Sequence, residues 1–259
     1  MSKNEIEQPL IVAVETSGRL GSAALAIGEK LLAQRDFSAP MRHSSEMFPA
    51  IEELLARFNR KPSQIDQVYL SIGPGSFTGL RIAVTFAKML ALANSAKIAA
   101  VRTSDVIVSN VITLSNSFQT KRNYERFGTI LDAKRGRFFV AVYQKRAQTP
   151  ADTKLSFPLG NYEKILPDCL MTAEQFLDKF SQSHSVTALL GEGLVYYADK
   201  FRTPGIEIID QQYWQPKASN VHQLGWFKAT KGEFTDALAL QPLYIRKPQL
   251  GISRIRRNG

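Results

Sequence analysis

The chain has 259 residues, of which 44% are hydrophobic and 22% charged, so it can bury one large core or two smaller ones. This balance excludes a disordered or membrane-embedded chain, and no apolar stretch approaches the ~18 residues that a spanning helix needs. Cys169 is the single cysteine, which excludes an internal disulfide and a cysteine-rich metal site. The first residues, MSKNEIEQPL, are polar and unlike a signal peptide, so we expect a cytoplasmic protein.

The formal net charge is +10, and the basic residues are clustered. Residues 121–146 contain eight Lys and Arg against two acidic residues, and residues 246–259 contain five against none. Such clusters raise the local potential and favour polyanions through counterion release. Two interpretations stay open: contact with a nucleic acid, directly or within a complex, or a solvated basic surface with a loose tail.

The first hundred residues predict three strands followed by alternating helices and strands. Residues 10–36 form a meander, because the turns TSGRLG and GEK separate three strand-like runs. A helix is expected from Ser44 or Ser45, with apolar residues along one face: Met47, Ile51, Leu54, Leu55 and Phe58. There follow a buried strand (68–72), a glycine turn (73–75), a long apolar helix with Thr78 as its N-cap (79–93) and a short strand (97–101). The order βββαβα is that of the RNase H-like unit, from which actin-type folds are built in duplicate.

The second half predicts a looser copy of this order. It begins with a helix (104–114) and a β-hairpin (128–132 with 137–143). A helix opened by the capping box of Thr172 and Gln175 (172–180), two strands (186–190 and 206–209) and a final helix (220–231) follow. A further helix is expected after Gly191-Glu192-Gly193. Residues 145–168 are polar and carry three prolines, so they predict a surface excursion.

Residues 71–81, SIGPGSFTGLR, lie between a predicted strand and a predicted helix. Gly73 and Gly75 allow a tight turn, and the helix N-terminus beyond Ser76 would present free backbone N–H groups that suit an anion. The segment lacks the Lys-Ser/Thr ending of a Walker loop. Ser76 has no base at a fixed spacing, which argues against a serine nucleophile. Phosphate binding and a purely structural strand-to-helix turn both stay open.

Small residues recur every four positions along the predicted helix 79–93 and form a ridge: Gly79, Ala83, Ala87, Ala91 and Ser95. Such a ridge lets another helix approach closely. Its partner is either inside the chain, where helix 47–58 is the candidate, or in a second subunit. The helix is apolar on most sides, which favours burial in the core or in an oligomer. The candidate interface residues are Gly79, Leu80, Ala83, Val84, Ala87 and Ala91.

Five segments occur in the order of a known family: AVETSGRLGSAAL, RHSSEMFPAIEELL, SIGPGSFTGLRIAVTFAKMLA, LDAKRGRFFVAVY and ALALQPLYIRKP. Together they resemble the bacterial TsaB (YeaZ) family, the glycoprotease-like subunit of the tRNA threonylcarbamoyladenosine machinery. The resemblance spans most of residues 10–248. GPGSFTGLR followed by DA-K-RG carries most of its specificity, whereas residues 145–185 and those after Pro248 add nothing to it.

The resemblance implies an α/β actin-like (ASKHA) fold of two RNase H-like lobes, each with a mixed sheet flanked by helices. It divides the chain into an N-terminal lobe with dimerisation helices (1–103) and a C-terminal lobe (104–215). A terminal helical segment that packs back on the lobes (216–248) and a basic tail (249–259) follow.

The implied role is that of a non-catalytic subunit. The chain would pair with the catalytic, TsaD-type paralogue and recruit an accessory TsaE-type ATPase. The complex would modify adenosine 37 of tRNAs that read codons beginning with A, and tRNA would be met through the complex. Alone, the chain would form a homodimer through helices of the first lobe. No cofactor is required, although ATP or ADP would have a place at the lobe or subunit interface within the complex.

The residues argue against the catalytic paralogue itself. That enzyme's metal site uses two histidines four apart on one helix, with an aspartate from the second lobe, whereas here His43 stands alone and Met47 takes the second position. His184 and His222 lie far away in sequence. We therefore expect no metal site and no catalytic residue, with His43 a surface residue at a helix start.

By the same resemblance, a nucleotide or phosphate would meet these candidate residues: Glu15, Thr16, Ser17, Gly73, Gly75, Ser76, Gly191 and Gly193. Glu15 stands where actin-like ATPases place an aspartate near magnesium, and it equally suits the polar end of a strand. The two late glycines equally suit a plain turn. Asp132 and Arg135 are candidates for the cleft between the lobes, with an aspartate that caps its turn or pairs with the arginine as the alternative.

Two other functions stay open. A stand-alone actin-like ATPase or sugar kinase would bind Mg-ATP tightly as an isolated chain, and a metalloprotease would retain a bound metal. The glutamate at position 15 and the missing histidine pair favour the non-catalytic subunit over both.

Overall fold

The computed structural model describes residues 8–40, 42–115, 124–146, 159–182 and 185–245. The first lobe is built on a five-stranded sheet of order β3-β2-β1-β4-β5. Its strands are Leu10–Glu15, Ser22–Ile27, Lys30–Asp36, Gln67–Ser71 and Lys97–Val101, numbered β1 to β5. β1 pairs antiparallel with β2 and parallel with β4, so a hairpin and a parallel ladder share the central strand.

The second lobe repeats this topology. Its sheet has the order β8-β7-β6-β9-β10, with an antiparallel β6–β7 pair and a parallel β6–β9 pair. The strands are Arg126–Asp132, Phe138–Lys145, Tyr162–Met171, Thr187–Leu190 and Ile206–Ile208, numbered β6 to β10. The predicted duplication of an RNase H-like unit, and with it the two-lobed actin-like fold, is confirmed.

Within the described ranges, six α-helices flank the sheets: α1 His43–Arg57, α2 Phe77–Asn94, α3 Thr103–Ser115, α4 Ala173–Phe180, α5 Leu194–Tyr197 and α6 Ala218–Thr230. α1 and α2 share one core with the first sheet, and α6 covers the opposite face of that sheet. α3 contacts β6 and α6, so these two helices lie between the sheets. Asn220 donates to Asn110 across them at 2.7 Å, which satisfies two amides in a largely apolar layer.

β1 shows why the sequence LIVAVE has no polar alternation before its last residue. Val12 and Val14 belong to the core that contains α1 and α2, whereas Ile11 and Ala13 belong to the core that contains α6. Because both faces of the sheet are covered, every residue of the strand is buried.

Three local predictions are wrong. Ser76, not Thr78, is the N-cap of α2: its Oγ accepts from the Gly79 amide at 3.2 Å, so the helix begins at Phe77. Part of the predicted excursion 145–168 is strand, because β8 pairs along β7 as an edge strand whose alternate residues face solvent. The helix expected after Gly193 is only the four-residue α5, followed by a 3-10 turn.

Residues 232–245, which we call the C-terminal strap, return to the first lobe after α6. Thr235 bridges to Ile98 on the edge strand β5, and Leu240 is buried in the core of the first lobe. The Leu243 amide then donates to the Ile72 carbonyl at 2.7 Å. The strap therefore ties the end of the described chain to the loop between β4 and α2. The predicted basic tail 249–259 lies outside the described residues.

Candidate functional site

The predicted site residues lie on two surfaces of the molecule. One is the interlobe cleft, bounded by the β1–β2 turn (residues 16–21), the β6–β7 turn (133–137) and the β9–α5 loop (191–193). The other is the outward face of α1 and α2. In a mixed α/β sheet, ligands bind beyond the carboxyl ends of the parallel strands, which is where the interlobe cleft lies.

Glu15 ends β1 and is fully buried. Its carboxylate accepts hydrogen bonds from the Ser17 amide at 2.6 Å and from the hydroxyls of Ser17 and Ser71. Burial raises the pKa of Glu15, while these hydrogen bonds lower it. The structure therefore uses this carboxylate to hold the start of the β1–β2 turn against the end of β4.

The β4–α2 loop packs against the β1–β2 turn. The Ser76 amide donates to the Ser17 carbonyl and the Thr16 hydroxyl donates to the Gly79 carbonyl, both at 2.8 Å. Gly75 lies so close to Ser17 that a Cβ on it would overlap that residue. The Ser76 amide, which the phosphate interpretation would offer to an anion, is already occupied by a backbone carbonyl. These contacts favour the structural interpretation of GPGSFTG.

Gly191 and Gly193 approach the backbone of β6. A Cβ on them would lie 2.5 Å and 2.9 Å from the Ile130 carbonyl oxygen, and Gly191 has a φ of +120°. The Gly193 amide donates to that same carbonyl at 3.0 Å. Close packing against β6 therefore accounts for both glycines, as the plain-turn interpretation expects.

Glu192 joins the two lobes, and the sequence analysis did not single it out. Its Oε2 accepts from the Arg19 amide at 2.7 Å. A Cβ on Gly18 would lie 3.1 Å from that oxygen, so the glycine gives the carboxylate its access. Burial, and then the negative charge of Glu15, raise the pKa of Glu192 to about 7. An acidic residue between two glycines after a strand is the signal that could have found it.

The Arg19 side chain covers the outside of this contact. Its guanidinium donates to the Tyr196 hydroxyl and lies 5.1 Å from the centre of the Tyr196 ring. Arg19 on the first lobe and Tyr196 on α5 of the second therefore form another connection between the lobes at the mouth of the cleft.

Asp132 and Arg135 lie at the β6–β7 turn. Asp132 accepts from the Lys134 amide at 2.7 Å and pairs with the Lys134 ammonium at 2.8 Å. Its capping role agrees with the second of the two interpretations, and Lys134 is an ion-pair partner of this carboxylate. Lys134 and Arg135 both have positive φ, which Asp132 helps to hold.

The prediction that His43 is a surface residue is wrong. The residue is buried, and its Nε2–H donates to the Gly18 carbonyl at 3.0 Å. This bond fixes the tautomer and leaves Nδ1 as an acceptor, which has no hydrogen-bond partner among the described residues. Burial lowers the pKa of His43. The first turn of α1 therefore uses a neutral imidazole to support the β1–β2 turn.

The other two histidines, His184 and His222, are far from His43 in the sequence. His222 is buried, donates to the Gly28 carbonyl at 2.9 Å and stacks on Tyr69. His184 lies outside the described residues. Within the part of the chain that the structure describes, no three His, Cys, Asp or Glu side chains are grouped as a metal ion would need.

The ridge on α2 faces the interior of the chain. Five of the six candidate interface residues are buried and one is half-buried: Gly79, Leu80, Ala83, Val84 and Ala87, then Ala91. Ala83, Val84 and Ala87 share a core with residues of α1, and Ala91 packs against that core, so the internal partner is the correct interpretation of the ridge as a whole. The five buried residues are covered by their own chain, so the prediction that they form the interface is corrected, whereas the half-buried Ala91 stays a candidate.

Other residues form the outward surface of this helix pair, which we call the α1–α2 face: Phe48, Phe77, Arg81, Thr85, Met89 and Leu92. Phe48 is 43% exposed and packs edge-on against Phe86, with ring centres 5.7 Å apart. Met89 and Leu92 are 47% and 89% exposed. Phe77 stacks with Tyr244 of the C-terminal strap. Large apolar side chains grouped on an outward surface indicate a contact with another protein.

Residues 37–156, which include both helices, match the family model described as "TsaD: tRNA N6-adenosine threonylcarbamoyltransferase". A curated relative from Bacillus subtilis (strain 168), "tRNA threonylcarbamoyladenosine biosynthesis protein TsaB", is 26% identical over 91% of this chain and 93% of its own length. The protein of the same description from Escherichia coli (strain K12) is 21% identical over 91% of this chain and 94% of its own length. Over nearly its whole length, the chain is therefore similar to proteins named TsaB. The resemblance found in the sequence is therefore confirmed.

Solved structures agree on the fold of this chain. The structure described as "YeaZ from Pseudomonas aeruginosa" is 21% identical, covers 91% of this chain and 99% of its own, and superposes with a TM-score of 0.69. A second one from that organism, described as having "similarity to peptidase YEAZ", has a TM-score of 0.73 at 21% identity over 92% of this chain and all of its own. Among the described residues, no helix combines the length and apolarity that crossing a membrane requires.

Proposed function

We propose that this chain is a non-catalytic subunit of the complex that installs N6-threonylcarbamoyl on adenosine 37 of tRNAs reading ANN codons. The relatives that match it over nearly their whole length are named for the biosynthesis of this nucleoside. The structural observation that carries the proposal is the α1–α2 face, an outward apolar surface on a chain of this family.

The catalytic TsaD-type paralogue is the proposed occupant of the α1–α2 face. The segment of this chain that matches the TsaD model contains both helices of the face. Two related chains that share this helix pair can pack through equivalent surfaces around a local two-fold axis, as in an isologous dimer. The same face would join two copies of this chain when it is alone, and the accessory TsaE-type ATPase would join the assembled pair.

A non-catalytic role agrees with the surroundings of His43. Its Nε2–H donates to the Gly18 carbonyl, and its ring packs beside Phe37. Met47, one turn further along α1, is fully buried and supplies a thioether where the catalytic paralogue has its second histidine. These two side chains do not provide the ligands that a transition metal needs, so the transfer reaction is assigned to the paralogue.

Pairing can be tested with a matched pair of variants. Leu92 and Leu238 are both leucines with about nine-tenths of the side chain exposed, but only Leu92 lies on the α1–α2 face. We expect Leu92→Glu to weaken association with the paralogue at least tenfold in sedimentation or calorimetric titration, which is about 1.4 kcal/mol. Leu238→Glu should bind as the wild type does. Equal affinities for both variants and the wild type would contradict the proposed interface.

Contact with tRNA is proposed for the assembled complex, supported by the net charge of +10. The basic tail 249–259 contains three arginines and no acidic residue. We expect its deletion to lower the tRNA affinity of the complex and to flatten the dependence of that affinity on salt. An unchanged affinity and salt slope would show that the tail makes no contact with tRNA.

A further inference from the structure

In the interlobe cleft, backbone N–H groups that could bind an anion donate instead to a carboxylate of the protein itself. The β1–β2 turn meets the β9–α5 loop of the second lobe at this cleft. Here the Arg19 amide of that turn donates to the Glu192 carboxylate at 2.7 Å. The Leu20 amide also stabilises the ionised carboxylate, as does the positive charge of Arg19. A nucleotide phosphate therefore does not fit beside this turn while Glu192 is in place.

The donors have the chemistry of a phosphate site. Consecutive backbone amides in a turn form a concave group of N–H donors, and such groups bind phosphates and carboxylates alike. The Arg19 guanidinium, held by Tyr196 at the cleft mouth, adds a fixed positive charge. Gly18 leaves the approach open, since a Cβ there would meet both the Glu192 carboxylate and the Pro216 ring at 3.1 Å.

We propose that Glu192 is an internal ligand that fills a latent phosphate site between the lobes and so excludes nucleotides from the cleft of this chain. The carboxylate comes from the β9–α5 loop of the second lobe and the donors come from the first lobe, so the contact also holds the lobes together. Withdrawing the carboxylate should convert the β1–β2 turn into a site for phosphate-type anions.

The raised pKa of Glu192 makes its hold on these donors depend on pH near neutrality. Burial, and the negative charge of Glu15 behind it, raise the pKa of Glu192 to about 7. Protonation near neutral pH therefore weakens Glu192 as an acceptor for the amides of the β1–β2 turn. Glu15 itself is held by Ser17 and Ser71 and does not reach the donors of Arg19 through any contact in the described structure.

The test follows the Arg19 amide by NMR in the full chain during titration with inorganic pyrophosphate and, separately, with ADP. This resonance distinguishes the site from the diffuse anion binding that a chain of charge +10 shows anywhere on its surface. Glu192→Ala removes the internal ligand, and Glu233→Ala removes an exposed acid elsewhere with the same change in net charge. We expect pyrophosphate to shift the Arg19 amide in Glu192→Ala at a concentration at least tenfold below that needed in the wild type and in Glu233→Ala.

The two probes separate the sources of the phosphate group. A shift with both would show that the site takes nucleotide phosphates, and a shift with pyrophosphate alone would show that it takes the free anion; each outcome supports the proposal. No difference between Glu192→Ala and the wild type would overturn it.

A second measurement covers the case in which Glu192→Ala fails to fold. Sulfate keeps its charge between pH 6 and pH 8, whereas protonation weakens Glu192 as a competitor. In the wild type, sulfate should shift the Arg19 amide at a severalfold lower concentration at pH 6 than at pH 8, and in Glu192→Gln this pH dependence should be absent. Equal sulfate titrations of the wild type at both pH values would overturn the proposal.

Discussion

Gly79→Ala tests whether the small-residue ridge works inside the chain. Gly79 lies in the first turn of α2, directly against the Thr16 carbonyl of the β1–β2 turn. A Cβ on Gly79 would fall about 1 Å inside the shortest separation that real Cβ atoms show, and the atom it meets is backbone. The helix and the turn must therefore move apart, because neither has a flexible side chain that could give way.

The expected cost follows from the contacts that this movement breaks. The bond from the Thr16 hydroxyl to the Gly79 carbonyl and the bond from the Ser76 amide to the Ser17 carbonyl contribute about 1 kcal/mol each. Overpacking adds about 1–3 kcal/mol, and the better helix propensity of alanine returns about 1 kcal/mol at most. We expect a net loss of about 3 kcal/mol in the free energy of unfolding.

The assay is equilibrium unfolding in urea. With an m-value of about 3 kcal/mol per molar, the midpoint of Gly79→Ala should fall by about 1 M. Thr85→Ala, at an exposed position of the same helix, is the matched control and should stay within about 0.5 kcal/mol of the wild type. A Gly79→Ala chain as stable as this control would refute the packing of α2 against the β1–β2 turn.

Three further predictions concern buried groups. Ala87→Glu places a charge at a fully buried position and should unfold the chain, seen as loss of the native circular dichroism spectrum, whereas a folded variant with impaired association would restore the ridge as an interface. The raised pKa of Glu192 means that the unfolded chain releases this proton first. As the pH rises from 4.5 to 7, the free energy of unfolding of the wild type should therefore fall by about 2 kcal/mol relative to that of Glu192→Gln, as measured by urea titrations. Parallel pH profiles of the two proteins would contradict the burial of the carboxylate. The lowered pKa of His43 has the opposite effect: its contribution is complete above pH 6.5 and declines below, so the stability difference between the wild type and His43→Ala should shrink from pH 7 to pH 5, and a constant difference would contradict a neutral imidazole.

The fold could be predicted from the sequence because its strands and helices carry strong local signals. LIVAVE and the apolar spacing of α1 depend on burial patterns that extend over several residues, and the capping box of Thr172 and Gln175 appears as predicted. β8 was missed because an edge strand with one solvated face contains polar residues and a proline, which also characterise a loop.

The candidate site could be predicted only in part. Glycines in the loops indicated where another group approaches the backbone closely. The sequence does not tell whether that group is a ligand or a neighbouring segment of the chain, and the structure shows that it is the backbone of Ile130 and of Ser17. The contact between Arg19 and Glu192 joins residues 173 positions apart, so a local pattern could single out Glu192 but could not reveal its partner. His43 was misplaced for a related reason: the start of α1 is buried by the β1–β2 turn, which is a tertiary effect.

The most direct test of the proposed function is threonylcarbamoyladenosine formation in a reconstituted mixture. The mixture holds the catalytic paralogue, the accessory ATPase, tRNA, ATP and threonylcarbamoyl-adenylate, with or without this chain. We predict that product forms only when the chain is present and that the chain alone makes none. Equal product formation without the chain would contradict its role as a required subunit.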